Sequence, residues 1–168
     1  MQVIVYHSQH GFTKEVASII AESFDYCLLM DVDQLDYQIL NVASQIIIGT
    51  PVYEGKLDEI IVQFILDSQP LLIEKQYSMF IVSVWQTEFM TPVTHTFNFE
   101  ILKDMKVIMG VGGKLDYTSL SLKEKMILEV LNKRSPVIHR EKDQHVFCNL
   151  NREELNNFIK KVKALGAK

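Results

Sequence analysis

Val3-Ile4-Val5-Tyr6-His7-Ser8-Gln9-His10-Gly11-Phe12-Thr13 decides how the rest of the chain is read. A short apolar run passes into a polar turn with a single glycine, and from Thr13 onward apolar residues recur at helical spacing. A strand feeding a helix in this way leaves unpaired N–H groups at the helix N-terminus, where the macrodipole favours negative charge. Ser8 and Thr13 are candidates to donate to phosphate oxygens, and Gly11 admits a ligand to the backbone with no Cβ in its path. The same turn also reads as a plain strand–turn–helix connection in which Ser8 or Thr13 serves as a cap.

Two familiar phosphate motifs are excluded. No Gly-Lys-Ser/Thr follows the loop, so it is not Walker A, and one glycine stands where the dinucleotide fingerprint needs three. The six residues Ser8 to Thr13 read Ser-x-x-Gly-x-Thr. This pattern resembles the phosphate loop of flavodoxins, which wraps the terminal phosphate of FMN. A loop of hydroxyls and amides, with no lysine and no metal ligand, suits a phosphate that is held and not transferred.

Composition narrows the class. At 168 residues the chain is read as one domain, 1–168, long enough to bury a real core. Its net charge of −4 argues against nucleic acid and against a generally anionic membrane surface as partners. That charge is also mild beside the strong acidity usual in electron-carrier flavodoxins. No apolar run reaches membrane-spanning length, and no basic stretch precedes the first one, which predicts a cytoplasmic protein. Cys27 and Cys148 stand far apart in separate apolar runs and read as buried, reduced thiols. His7, His10, His95, His139 and His145 show no ligand spacing, so no metal is expected.

Apolar runs alternate with helical patterns, the signature of a parallel sheet covered on both faces. Strands are expected at Val3–His7, Cys27–Val32, Gln45–Gly49, Ser78–Val84 and Lys106–Val111. Helical stripes run through Val16, Ala17, Ile20, Ala21 and Phe24, and through Leu57, Ile60, Ile61, Phe64 and Ile65. A short helix is expected around Leu35 to Leu40, and Pro92–Leu102 is ambiguous because its residues are poor helix formers. Ser121 and Glu124 form a capping box before Met126, Ile127, Val130 and Leu131. Asn151 and Glu154 open a last helix carrying Leu155, Phe158, Ile159, Val162 and Leu165, which Gly166 is expected to close.

The resemblance to flavodoxins implies a doubly wound α/β fold, a five-stranded parallel sheet in the order 2-1-3-4-5, with ligand beyond the strand ends at the switch point. Three loops are then expected to meet. The second, Gly49-Thr50-Pro51-Val52-Tyr53-Glu54-Gly55, matches a flavodoxin-type pattern, and Tyr53 offers a ring for a flat ligand. The third carries Val84 and Trp85, the single tryptophan. Trp85 reads equally as a ring stacked on a flavin or as core beneath a neighbouring helix. The resemblance thus implies FMN, with Ser8, Gln9, His10, Gly11, Phe12, Thr13, Thr50, Pro51, Val52, Tyr53, Gly55, Val84 and Trp85 around it.

Within the superfamily, the run Val107 to Tyr117, leading into an extra helix before the last one, is most similar to the menaquinone-dependent protoporphyrinogen oxidase group. A helical insert at about 114–148 replaces the short connection of ordinary flavodoxins. This resemblance implies an oxidoreductase that passes electrons from a porphyrinogen through FMN to a quinone. No catalytic residue carries over, though Glu54 and Tyr117 are candidate substrate contacts. Two other readings stand beside it: a flavodoxin-type electron carrier serving a redox partner protein, and a binding domain without cofactor. The face of Met126, Ile127, Val130 and Leu131 reads either as packing on the chain's own sheet or last helix, or as a peripheral membrane or partner contact.

Overall fold

In the computed structural model, which describes residues 1–167, the opening run forms β1 (Gln2–Tyr6), an inner strand of a layered fold. It pairs in parallel with β2 (Cys27–Asp31) on one side and β3 (Gln45–Tyr53) on the other. β3 then pairs with β5 (Ser78–Val82), and β5 with β6 (Ile108–Gly112), both in parallel. The order β2-β1-β3-β5-β6 is the doubly wound arrangement expected, 2-1-3-4-5 when only the parallel strands are counted. The register sets Tyr6 beside Gly49, and Pro51 beside Val82, so β1, β3 and β5 end near one another.

Burial on both faces explains why the strands read as unbroken apolar runs. Val3, Val5, Ile46, Ile48, Met79 and Ile81 point to one side. There they meet α2 (Tyr37–Val42), α3 (Glu59–Asp67), α4 (Gln69–Glu74) and α5 (Met90–Thr96) through Leu40, Ile61, Phe64, Ile65, Leu72 and Val93. The alternate residues Ile4, Tyr6, Ile47, Phe80, Val82, Met109 and Val111 face α1 (Phe12–Glu22) and α8 (Arg152–Gly166). Val16, Ala17, Ile20, Leu155, Phe158 and Val162 complete that second core. No helix among the described residues is long and apolar enough to cross a membrane.

Several expectations are corrected. β1 stops at Tyr6 rather than His7, and β5 at Val82 rather than Val84, because the chain turns away where the binding loops begin. β3 runs past Gly49 to Tyr53 and folds back as β4 (Lys56–Leu57), an antiparallel pair with Val52 opposite Leu57. The two linking residues, Glu54 and Gly55, both have positive φ, 52° and 78°, as a two-residue hairpin of primed type requires. The ambiguous stretch holds α5 and α6 (Phe99–Leu102); Pro92 lies in the first turn of α5, where its missing N–H costs little. Gly166 is the last residue of α8 and does not adopt the left-handed terminating form. A Cβ there would come within 3.1 Å of the Gln45 side chain, so close approach accounts for the glycine.

The insert is not purely helical. It begins with β7 (Lys114–Asp116), continues as α7 (Leu122–Arg134), and returns through β8 (Val146–Cys148), antiparallel to β7. Cys148, on this short edge pair, is exposed and Cys27 half-buried, so neither is the buried thiol expected. Gly112, with φ of 89°, makes the turn into it; a Cβ there would fall 2.2 Å from the Asn149 carbonyl oxygen. The expected capping box is present: Ser121 accepts from the Glu124 N–H, and Glu124 accepts from the Ser121 N–H.

Candidate functional site

A cavity of about 620 Å³ opens beyond the C-terminal ends of β1, β3 and β5, at the switch point of the strand order. Of the residues expected at a cofactor, Ser8, Gln9, His10, Phe12, Thr13, Pro51, Val52, Tyr53 and Val84 line it. Gly11, Thr50, Gly55 and Trp85 do not. Thr50 is fully buried in β3 with its hydroxyl donating to the Pro51 carbonyl, and the two glycines shape the turns that the lining residues flank.

The first loop is built to receive an anion. Gly11 is the N-cap of α1 in the left-handed conformation (φ 86°), and no side chain caps the helix. The first amides of α1 therefore have no side-chain partner of the ordinary capping kind. The Ser8 hydroxyl is buried and has no hydrogen-bond partner. An orphaned buried hydroxyl carries a desolvation cost that a ligand oxygen would remove. A Cβ built on Gly11 or on Gly55 meets nothing within 4 Å, so open space lies in front of both turns. These features fit a phosphate on the first loop and a flat group beside the second.

The second loop is tied to the first. The Gln9 N–H donates to the Tyr53 hydroxyl at 3.0 Å, and the Tyr53 ring meets His10 edge-on, centroids 5.9 Å apart. Burial, opposed in part by the hydrogen bond from Gln9, pushes the Tyr53 hydroxyl up to about 12, so it is neutral at ordinary pH. Below the loop, His7 Nδ1 lies 2.9 Å from one carboxylate oxygen of Asp58. The other oxygen of Asp58 accepts from the Ile60 and Ile61 N–H groups and caps α3.

The third loop contributes Val82, Ser83 and Val84 to the cavity, while Trp85 turns away. Its indole N–H donates to the Ser135 carbonyl at 2.8 Å, at the end of α7, and the Ser135 hydroxyl bonds Glu88. Of the two roles open to Trp85, the geometry gives it packing and tethering beneath the insert. Asn149 holds the loop from the other side: its side-chain N–H donates to the Val84 carbonyl at 2.6 Å, and its oxygen accepts from the Gly113 N–H.

The insert supplies a fourth wall that loop motifs do not foreshadow. Lys114, Leu115 and Asp116 of β7, and Ser121, Lys123, Glu124, Ile127 and Leu128 at or within α7, line the cavity. Glu124 joins the helix to the first loop, with His10 Nε2 at 3.0 Å from the oxygen not used in the capping box. Burial raises the Glu124 carboxyl, but the bonds from Ser121 and His10 outweigh it and hold it below the ordinary range. Lys123 reaches Glu54 of the second loop at 3.5 Å. With Ser135 on Trp85, α7 is thus tied to all three loops. The capping box signals where α7 starts; nothing local signals where it lies.

A doubly wound parallel sheet with an uncapped, hydroxyl-bearing helix N-terminus at its switch point defines an α/β domain suited to a phosphate-bearing ligand. The chain belongs to the flavodoxin domain family, whose model matches residues 3–137. No curated protein matches it. Among solved structures it is similar to the Streptococcus pneumoniae TIGR4 flavodoxin, at 19% identity over 97% of both chains with a TM-score of 0.56. It is similar also to a WrbA-like flavodoxin from Agrobacterium tumefaciens, at 18% identity over 79% of this chain and 92% of that one, TM-score 0.52. A third is the two-electron reduced flavodoxin of Megasphaera elsdenii, at 20% identity, covering 67% of this chain and 84% of that one, TM-score 0.52. At these identities the likeness is one of fold.

Proposed function

We propose that this chain is a flavoprotein of the flavodoxin electron-transfer type, with FMN as its cofactor. The observation that carries the reading is the partnerless buried hydroxyl of Ser8 beside the uncapped N-terminus of α1. When bound, FMN supplies a ring that accepts and releases electrons. Ser8, Thr13 and the amides around Gly11 would hold its phosphate. Pro51, Val52, Tyr53 and Val84 would wall the ring, and α7 would keep water from one side of it. The Tyr53 hydroxyl, neutral and bonded to Gln9, fixes the distance between phosphate and ring walls without adding charge.

The visible absorption spectrum of the purified protein, repeated after adding FMN and desalting, tests this. A retained flavin band is expected. A colourless protein that does not keep FMN would overturn the reading and leave a binding domain without cofactor.

The narrower oxidase reading takes a porphyrinogen as donor and a quinone as acceptor. It is favoured by the roof of α7, whose Ile127 and Leu128 give the cavity an apolar wall that a plain carrier does not need. Family membership and fold support the carrier reading better. Consumption of protoporphyrinogen IX by FMN-loaded protein with a quinone acceptor would establish the oxidase, and reduction without such turnover would leave the carrier.

A further inference from the structure

We propose that the outward face of α7 is a docking surface for an anionic lipid membrane. This helix is apolar on two sides. Ile127 and Leu128 face the cavity, while Leu122, Met126 and Val130 are 76%, 62% and 59% exposed. The three are spaced four apart and form one row, about 12 Å long. The chain itself covers only the inner side, which leaves the outer apolar row uncovered among charged neighbours.

Charge identifies the occupant. The row ends at Lys133 and Arg134, both exposed, with Lys123 and Lys125 along its edges. Lys123 is 78% exposed, so its 3.5 Å contact with Glu54 is weak and screened. Of the two carboxylates on α7, Glu124 is turned inward to His10 and Ser121, which leaves Glu129. Residues 114–148 carry seven Lys or Arg against five Asp or Glu, whereas residues 1–113 carry five against fourteen. An anionic surface therefore repels the body of the chain and attracts the insert, which orients α7 toward it.

Shape separates lipid from protein as the partner. The row stands on a single convex helix and not in a groove. Leu, Met and Val side chains enter a fluid interface at the level below the headgroups. Lysine and arginine stems lie along the same depth and place their charges at the phosphates. The Glu124 contact with His10 and the Ser135 contact with Trp85 hold this face in place before docking. The surface does not depend on the flavin, so its failure and that of the cofactor reading are separable.

Sedimentation of the full chain with vesicles is the test, using phosphatidylcholine alone or mixed with about one third phosphatidylglycerol. The chain is expected to sediment with the anionic vesicles, to stay in solution with the neutral ones, and to be released by high salt. Leu122→Ser/Met126→Ser/Val130→Ser is expected to weaken binding about tenfold or more. Lys125→Gln/Lys133→Gln/Arg134→Gln, which leaves the apolar row intact, should weaken it comparably. Circular dichroism checks that both variants are folded. No sedimentation with anionic vesicles, or binding unchanged in both variants, would overturn the proposal. Binding to an acidic protein surface without binding to vesicles would overturn it as well.

Discussion

The Ser8 hydroxyl separates stability from the proposed FMN binding in one substitution. No protein group bonds it, so Ser8→Ala removes no hydrogen bond within the chain and should change stability by less than about 1 kcal/mol. A hydrogen bond to an ionised phosphate is worth about 1.5–3 kcal/mol, so the same change should weaken FMN binding about tenfold or more. Thermal melts without FMN and a flavin titration read the two effects; a variant that loses stability yet keeps its affinity would contradict the assignment. Glu124 gives a second residue-scale expectation. Its carboxyl is held below the ordinary range in the folded chain, so its interactions contribute fully above the ordinary carboxylate pKa. They are lost as pH falls through the folded value. The stability advantage of the wild type over Glu124→Gln should therefore be present at neutral pH and vanish in acid. Denaturant titrations at several pH values measure it, and a gap that stays constant would refute it.

α7 is held by side chains at its ends, whereas β1, β3 and β5 are held by paired backbones and by apolar cores on both faces. None of the α7 residues is fully buried. Hydrogen exchange should accordingly find α7, β7 and β8 open more readily than the central strands. Equal protection in insert and sheet would mean that the ties at His10, Glu54 and Trp85 carry more than their number suggests. The same contrast explains what could be read in advance. Ile46-Ile47-Ile48 and Ser78 to Val82 announce buried strands because adjacent residues face different cores, and Ser121 with Glu124 announces a helix start because both partners are local. The hairpin at Glu54-Gly55 was hidden, since glutamate carries no signature of positive φ. That the first loop and Tyr53 come together at one cavity was legible, because their spacing and residue types are themselves the motif. The side of Trp85 was not, because its deciding partner is a carbonyl fifty residues later. Asn149 and Glu124 were missed as site residues for the same reason: each acts on a loop distant in sequence.

Over the whole molecule, sequence order and spatial order diverge. The acidic first part builds the sheet and three loops, and the more basic remainder returns across them as wall and brace. β6, at one edge of the sheet, pairs with β5 and leads through Gly112 into the insert, and Asn149, just beyond β8, reaches back to the Val84 carbonyl and the Gly113 amide. That brace has a consequence for synthesis. In a chain emerging from the ribosome the first loop precedes Asn149 by more than a hundred residues, and the third loop lacks that anchor until residue 149 is out. α8, which closes the second core over Ile4 and Phe80, emerges later still. The cavity is therefore completed last, by the insert and the residues that follow it. On the proposed flavin reading, cofactor capture therefore has to wait until Asn149 and α8 have been made.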